Sequence, residues 1–107
     1  MARCSWLAAA AFALLPAGPA SAAPAVHTVV IDGMEFKPAV VHVKAGDTIV
    51  WENKDVVPHT VTAPARRIES GDVVTGTSWS WRAAGPGTIA YVCRFHPMMR
   101  ARIVVAR

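Results

Sequence analysis

Cysteine is nearly absent from this chain. Two occur in 107 residues, at positions 4 and 93, too few for the disulfide framework that staples small secreted domains. Long apolar runs are missing too. The longest candidate, WLAAAAFALL at 6–15, falls short of the roughly 20 residues that a membrane helix needs. No ten-residue stretch carries a convincing apolar period near 3.6, so amphipathic helices are not expected. Acids are few, seven against eleven lysines and arginines. That mild excess is not the charge footprint of a nucleic-acid binder. There is no internal repeat and no linker. No carboxylate pair and no nucleophile–base pair stands at a recognisable spacing, so no enzymatic reaction is expected.

What is present begins with a leader. Arg3 makes a small positive start, the apolar run 6–15 follows, Pro16, Gly18 and Pro19 break it, and Ala20, Ser21 and Ala22 form a small-x-small cleavage signal. Cleavage after Ala22 removes Cys4 and leaves about 85 residues, enough for one domain with a modest core. The expectation is a signal peptide over 1–22, a periplasmic domain over 23–107, and no membrane span after cleavage. The basic residues fall late: Arg66, Arg67, Arg82, Arg94, Arg100, Arg102 and Arg107 all lie in the second half. That asymmetry suits an acidic partner or simply a solvated surface.

The remaining chain reads as short strands between turns. Candidates are 27–32, 39–44, 48–53, 59–63, 77–83, 88–93 and 101–106, with Gly46–Asp47 and Gly85–Pro86–Gly87 as turn punctuation. Many short, closely spaced strands predict an all-β sandwich or barrel. Residues 64–76 are polar and irregular. Trp79 and Trp81 share one strand face at period two, which fits packing rather than a ligand box. Met34 is expected in the core, and His27 and His42 on the surface.

After cleavage Cys93 is the only cysteine, and an unpaired thiol in an oxidising compartment is a liability: it is buried and inert, pairs between chains, or binds something. His96 stands three residues after it and Met99 six after it; Met98 is a rival for Met99. His59 lies upstream in PHTV. One thiolate, two imidazoles and one thioether make a soft nitrogen–sulfur donor set, the set of a type 1 copper site. Pro97 stiffens the short loop that carries His96 and Met99. Pro58 restricts Val57 to extended backbone and fixes the approach to His59.

These residues carry a resemblance. MEFKPAVVHVKAGDTIVWENKDVVPHTV at 34–61 and GTIAYVCRFHPMMRARIVV at 87–105 resemble the cupredoxins, in particular the amicyanin-like form of the plastocyanin-like group with its short C-x2-H-x2-M loop. The resemblance implies a Greek-key β-sandwich of about seven to eight strands holding one copper ion. It implies His59, Cys93 and His96 as equatorial ligands and Met99 as the axial one. Met98 then lies exposed beside His96, forming an apolar docking patch with Pro97. Asn53 matches a family asparagine that ties the upstream histidine loop to the cysteine loop. Two departures stand out: Ala101 where the family has glycine, and Phe95 where the amicyanin loop has proline before its histidine.

The resemblance implies a carrier of single electrons between redox partner proteins; Arg94 and Arg100 are expected to steer them, and a monomer is the default. By family resemblance the partners are a periplasmic dehydrogenase and a c-type cytochrome. The alternative is copper delivery or storage without electron transfer. A multicopper oxidase is excluded, because no His-x-His cluster is present.

Overall fold

The computed structural model describes residues 23–107, together with position 11. The expected signal peptide, Cys4 and the cleavage site therefore lie outside the described residues, position 11 apart. Among the described residues nine strands follow in order: β1 (Val26–Asp32), β2 (Glu35–Lys37), β3 (Val40–Lys44), β4 (Thr48–Asn53), β5 (Thr62–Ala63), β6 (Ile68–Glu69), β7 (Ser78–Arg82), β8 (Gly87–Val92) and β9 (Arg100–Ala106). A single 3-10 turn, Pro64–Arg66, lies between β5 and β6. Among the described residues no helix is long and apolar enough to cross a membrane.

Two mixed sheets face each other. One runs β2-β1-β4-β7 and the other β3-β9-β8-β5-β6. β1 pairs with β4 in parallel, and β3 with β9 in parallel; the remaining pairs are antiparallel. Alternation decides which face each strand buries. Val29 and Ile31, Val41 and Val43, Ile49 and Trp51, Ile89 and Tyr91, and Ile103 and Val105 all point between the sheets. Trp79 and Trp81 are half-buried and pack on the core edge, as the period-two reading expected.

The strand count exceeds the expected seven to eight because β2 and β6 are only three and two residues long, too short for alternation to show. The strand expected at 59–63 shrinks to Thr62–Ala63. Met34 corrects another expectation: it is exposed. Gly33 and Met34, at φ 58° and 63°, are the two central residues of the β1–β2 hairpin. A two-residue hairpin turn of this hand needs positive φ at both positions, so Met34 is carried out of the core by the turn. His27 also differs from a plain surface residue. It is half-buried, with Nε2 2.9 Å from Asp47 Oδ2.

The pole of the sandwich where β1 and β4 begin is pinned by Asp47. Its carboxylate accepts N–H bonds from Lys44 and Ala25 in addition to the His27 contact. These bonds, with Lys44 first, lower its pKa to about 2. A depressed carboxylate stabilises the fold fully above its ordinary value near 3.8, and that contribution drains away as pH falls toward about 2. Asp47→Asn is therefore expected to flatten the fall in melting temperature of the metal-free protein between pH 4 and pH 2, a window set by those two values.

The core is tied across the sheets by Trp51, whose Nε1–H donates to the Tyr91 hydroxyl at 3.0 Å. Both side chains are fully buried, and burial pushes the Tyr91 hydroxyl pKa up to about 12. Tyr91→Phe keeps the ring and strands the indole N–H. It is expected to cost about 1–3 kcal/mol, read by urea denaturation of the metal-free protein.

Candidate metal centre

The opposite pole collects side chains from both sheets. β4 ends at Asn53, whose buried amide closes the loop that follows. Its Nδ2 donates to Val57 O at 2.9 Å and to Val73 O at 2.8 Å, and its Oδ1 accepts from Asp55 N–H at 2.8 Å. The chain then passes Pro58 and reaches His59. This residue is not in β5; it sits in an isolated bridge with Val73, His59 N–H to Val73 O at 3.2 Å and Val73 N–H to His59 O at 2.8 Å. His59 is fully buried.

Asp55 fixes how that histidine presents itself. Its Oδ2 lies 2.9 Å from His59 Nε2 and 2.9 Å from Met34 N. The Met34 bond first, then the His59 bond, lower the Asp55 pKa to about 2, so the carboxylate only accepts. His59 Nε2 must then donate, so of the two neutral tautomers the contact selects the one whose Nδ1 lone pair is free. That atom lies 3.6 Å from Cys93 Sγ.

Cys93 follows the last residue of β8 and is fully buried. Two consecutive turns lead on from it. His96 N–H donates to Cys93 O at 3.2 Å and Met99 N–H donates to His96 O at 2.8 Å. Cys93 N–H closes the loop on Met99 O at 3.1 Å. A spacing of three residues therefore returns positions 93, 96 and 99 to one side of the loop. His96 Nδ1 also lies 3.6 Å from Cys93 Sγ, and the two imidazole rings stand 5.2 Å apart between centroids. Ligand atoms of His59, Cys93 and His96 all fall within 4.8 Å of one another. Met99 is buried beside them, whereas Met98 is 92% exposed.

The donor set fits a metal ion. Thiolate and imidazole ligands held about 2.3 and 2.0 Å from one ion at a near-tetrahedral or trigonal angle stand about 3.6 Å apart. Both sulfur–nitrogen separations here have that value. A family model for the cupredoxin-like domain matches residues 4–105. The chain belongs to the cupredoxin-like family. It is 35% identical to amicyanin-alpha of Methylorubrum extorquens over 89 residues, spanning 78% of this chain and 75% of that one. It is 30% identical to amicyanin of Paracoccus denitrificans, over 84% of this chain and 72% of that one. Among solved structures, the Cu(I) form of a methionine-to-alanine variant of amicyanin superposes with a TM-score of 0.73 at 30% identity, covering 81% of this chain and 88% of the other. A reduced tryptophan-to-tyrosine variant of amicyanin gives 0.73 at 29% identity over the same shares. This cupredoxin is thus amicyanin-like in sequence and in fold.

One expectation about a neighbouring residue changes. Asn53 does tie the His59 loop, but to Val73 and not to the cysteine loop. That second tie is made by Thr60: its N–H points at Cys93 Sγ at 3.4 Å, and its Oγ1 accepts Arg94 N–H at 2.8 Å. Arg94, expected to steer partners, is bound to Glu69 at 2.6 Å. Asp55 was also missed, although its place four residues before His59 is the helpful signal. Asn53→Ala strips partners from Val57 O and Asp55 N–H, leaves Val73 O with the His59 N–H alone, and is expected to cost more than about 2 kcal/mol. Urea denaturation of the metal-free protein measures this.

Proposed function

We propose that this cupredoxin is a periplasmic blue copper protein that carries single electrons, with His59, Cys93 and His96 as equatorial ligands and Met99 as the axial ligand of one type 1 copper ion. The observation that carries the reading is the pair of imidazole Nδ1 atoms, each 3.6 Å from one buried cysteine sulfur. A copper ion held there supplies Cu(I)/Cu(II) chemistry; soft sulfur favours the reduced ion and nitrogen the oxidised one. The residues supply the rest. Asp55 holds His59 in the tautomer that binds, Thr60 donates to the sulfur, and the fully buried His59 and Cys93 keep bulk water away.

His96 is the half-exposed member of the set and the natural path for an electron to leave. Beside it in the loop the exposed residues are apolar: Phe95 is 47% exposed, its ring 6.4 Å from that of His96, and Pro97 and Met98 are exposed as well. Such a patch suits transient docking of redox proteins. A periplasmic dehydrogenase as donor and a c-type cytochrome as acceptor fit the amicyanin likeness. The burial of Cys93 and His59 favours a held ion over one released for delivery or storage, which would need accessible donors. The protein acts as a carrier and not as an enzyme.

The test is to add Cu(II) to residues 23–107 and record the visible spectrum beside Cys93→Ser and the two methionine variants. A strong thiolate-to-copper band is expected, absent in Cys93→Ser, shifted in Met99→Ala and unchanged in Met98→Ala. Binding of Cu(I) with no coloured Cu(II) state would favour delivery or storage. A band altered by Met98→Ala and not by Met99→Ala would exchange the axial assignment.

A further inference from the structure

From the Cys93 sulfur, through Thr60, runs a chain of hydroxyl groups that ends on a carboxylate. Glu69 on β6 accepts through Oε2 from the Arg94 guanidinium at 2.6 Å and from Thr62 Oγ1 at 3.1 Å, and through Oε1 from Gly71 N–H at 3.0 Å. Thr62 Oγ1 and Thr60 Oγ1 are 2.8 Å apart. Thr60 Oγ1 accepts Arg94 N–H at 2.8 Å, and Thr60 N–H points at Cys93 Sγ. Thr60 and Thr62 are both buried.

The direction of this chain follows from the ends. An ionised carboxylate has no proton to give, and the Arg94 contact, first among its bonds, holds the Glu69 pKa below its usual value. The Thr62 proton is therefore spent on Glu69. The Thr60 proton must then go to Thr62, which leaves a Thr60 lone pair for Arg94 N–H. Thr60 and the residue pair 93–94 thus grip each other twice: a backbone N–H reaches from residue 60 to the sulfur, and another reaches back from residue 94 to the hydroxyl. The ion pair is about half-exposed on both sides, so it adds little stability by itself.

We propose that Glu69 and Thr62 are positioning residues of the copper site: they set the direction of the hydroxyl chain and thereby hold the Thr60 amide on the Cys93 sulfur. This rests on the copper-carrier reading. Hydrogen bonds to the cysteine sulfur tune the potential of such a site. A donor on the thiolate weakens its electron donation and favours the reduced ion, so loosening the Thr60 amide lowers the reduction potential.

Thr62→Val breaks the chain without changing any charge, Thr62→Ser restores it, and Glu69→Gln removes the anion that directs it. Two readouts apply. In the metal-free protein, amide exchange at Thr60 and Arg94 is expected to quicken at least tenfold in Thr62→Val, with the β8–β9 amides unchanged, and to stay at the wild-type rate in Thr62→Ser. In the copper-loaded protein, the potential is expected to fall in Thr62→Val and in Glu69→Gln. Simple loss of a negative charge would raise it in Glu69→Gln, so the sign separates positioning from electrostatics. Unchanged exchange at Thr60 and Arg94 overturns the proposal. So does a potential that holds or rises, even where exchange quickens. If Thr62→Val loses protection throughout β8–β9, Glu69→Gln decides by the same two readouts. Failure of the wild-type protein to show a copper band instead strikes the carrier reading, because the exchange measurement needs no copper.

Discussion

The Asp55–His59 contact governs the metal pole. A buried imidazole with two nitrogens is ambiguous: either can carry the proton, and only an unprotonated one binds a metal. Asp55, itself held by the Met34 and Val56 amides, accepts the Nε2–H bond, and Nδ1 faces the sulfur. The ambiguity is removed by the protein before any ion arrives. That requirement gives two local features a second role. The β1–β2 hairpin puts Met34 in a left-handed turn so that its N–H meets Asp55, and Asn53 folds the 54–58 segment so that Asp55 comes back beneath His59.

Most of the cluster at this pole was legible in the sequence because it is local. Cys93, His96 and Met99 lie within one short loop, and the three-residue spacing puts them on one side once two turns form. His59 was legible only through the PHTV context and the family resemblance. The strands of the core were legible wherever alternation ran five residues or more, as in β1, β4, β8 and β9. β2 and β6 are too short for any period to register, and their existence depends on partners far away in sequence. Met34 was misplaced for a related reason: methionine looks like core until the turn that carries it is known.

The residues that sequence reading missed share a property. Asp55, Thr60, Thr62 and Glu69 act through hydrogen bonds whose geometry is made by the fold, and polar residues of these types occur in any loop. Asn53 shows how a resemblance misleads at this level. Its position matches the family asparagine, yet the bond to the cysteine loop is made by Thr60, while Asn53 serves the backbone of its own loop and of Val73.

Burial makes such satisfaction necessary. A thiolate and an imidazole taken out of water lose solvation that only specific partners replace. Among the described residues every buried side-chain nitrogen and oxygen has a hydrogen-bond partner, including the atoms of Asn53, Asp55, Thr60 and Thr62 that wall the site. The donors are then fixed by bonds within the protein: the bridge to Val73 for His59, the Met99 carbonyl and Thr60 amide for Cys93, the Cys93 carbonyl for His96. A cage set by its own backbone has little reason to move when the charge inside it changes by one. Small rearrangement on electron gain or loss is what a carrier needs, whereas a delivery protein needs donors that yield. The rigidity of this pole is thus itself an argument for electron transfer, independent of any likeness to other proteins.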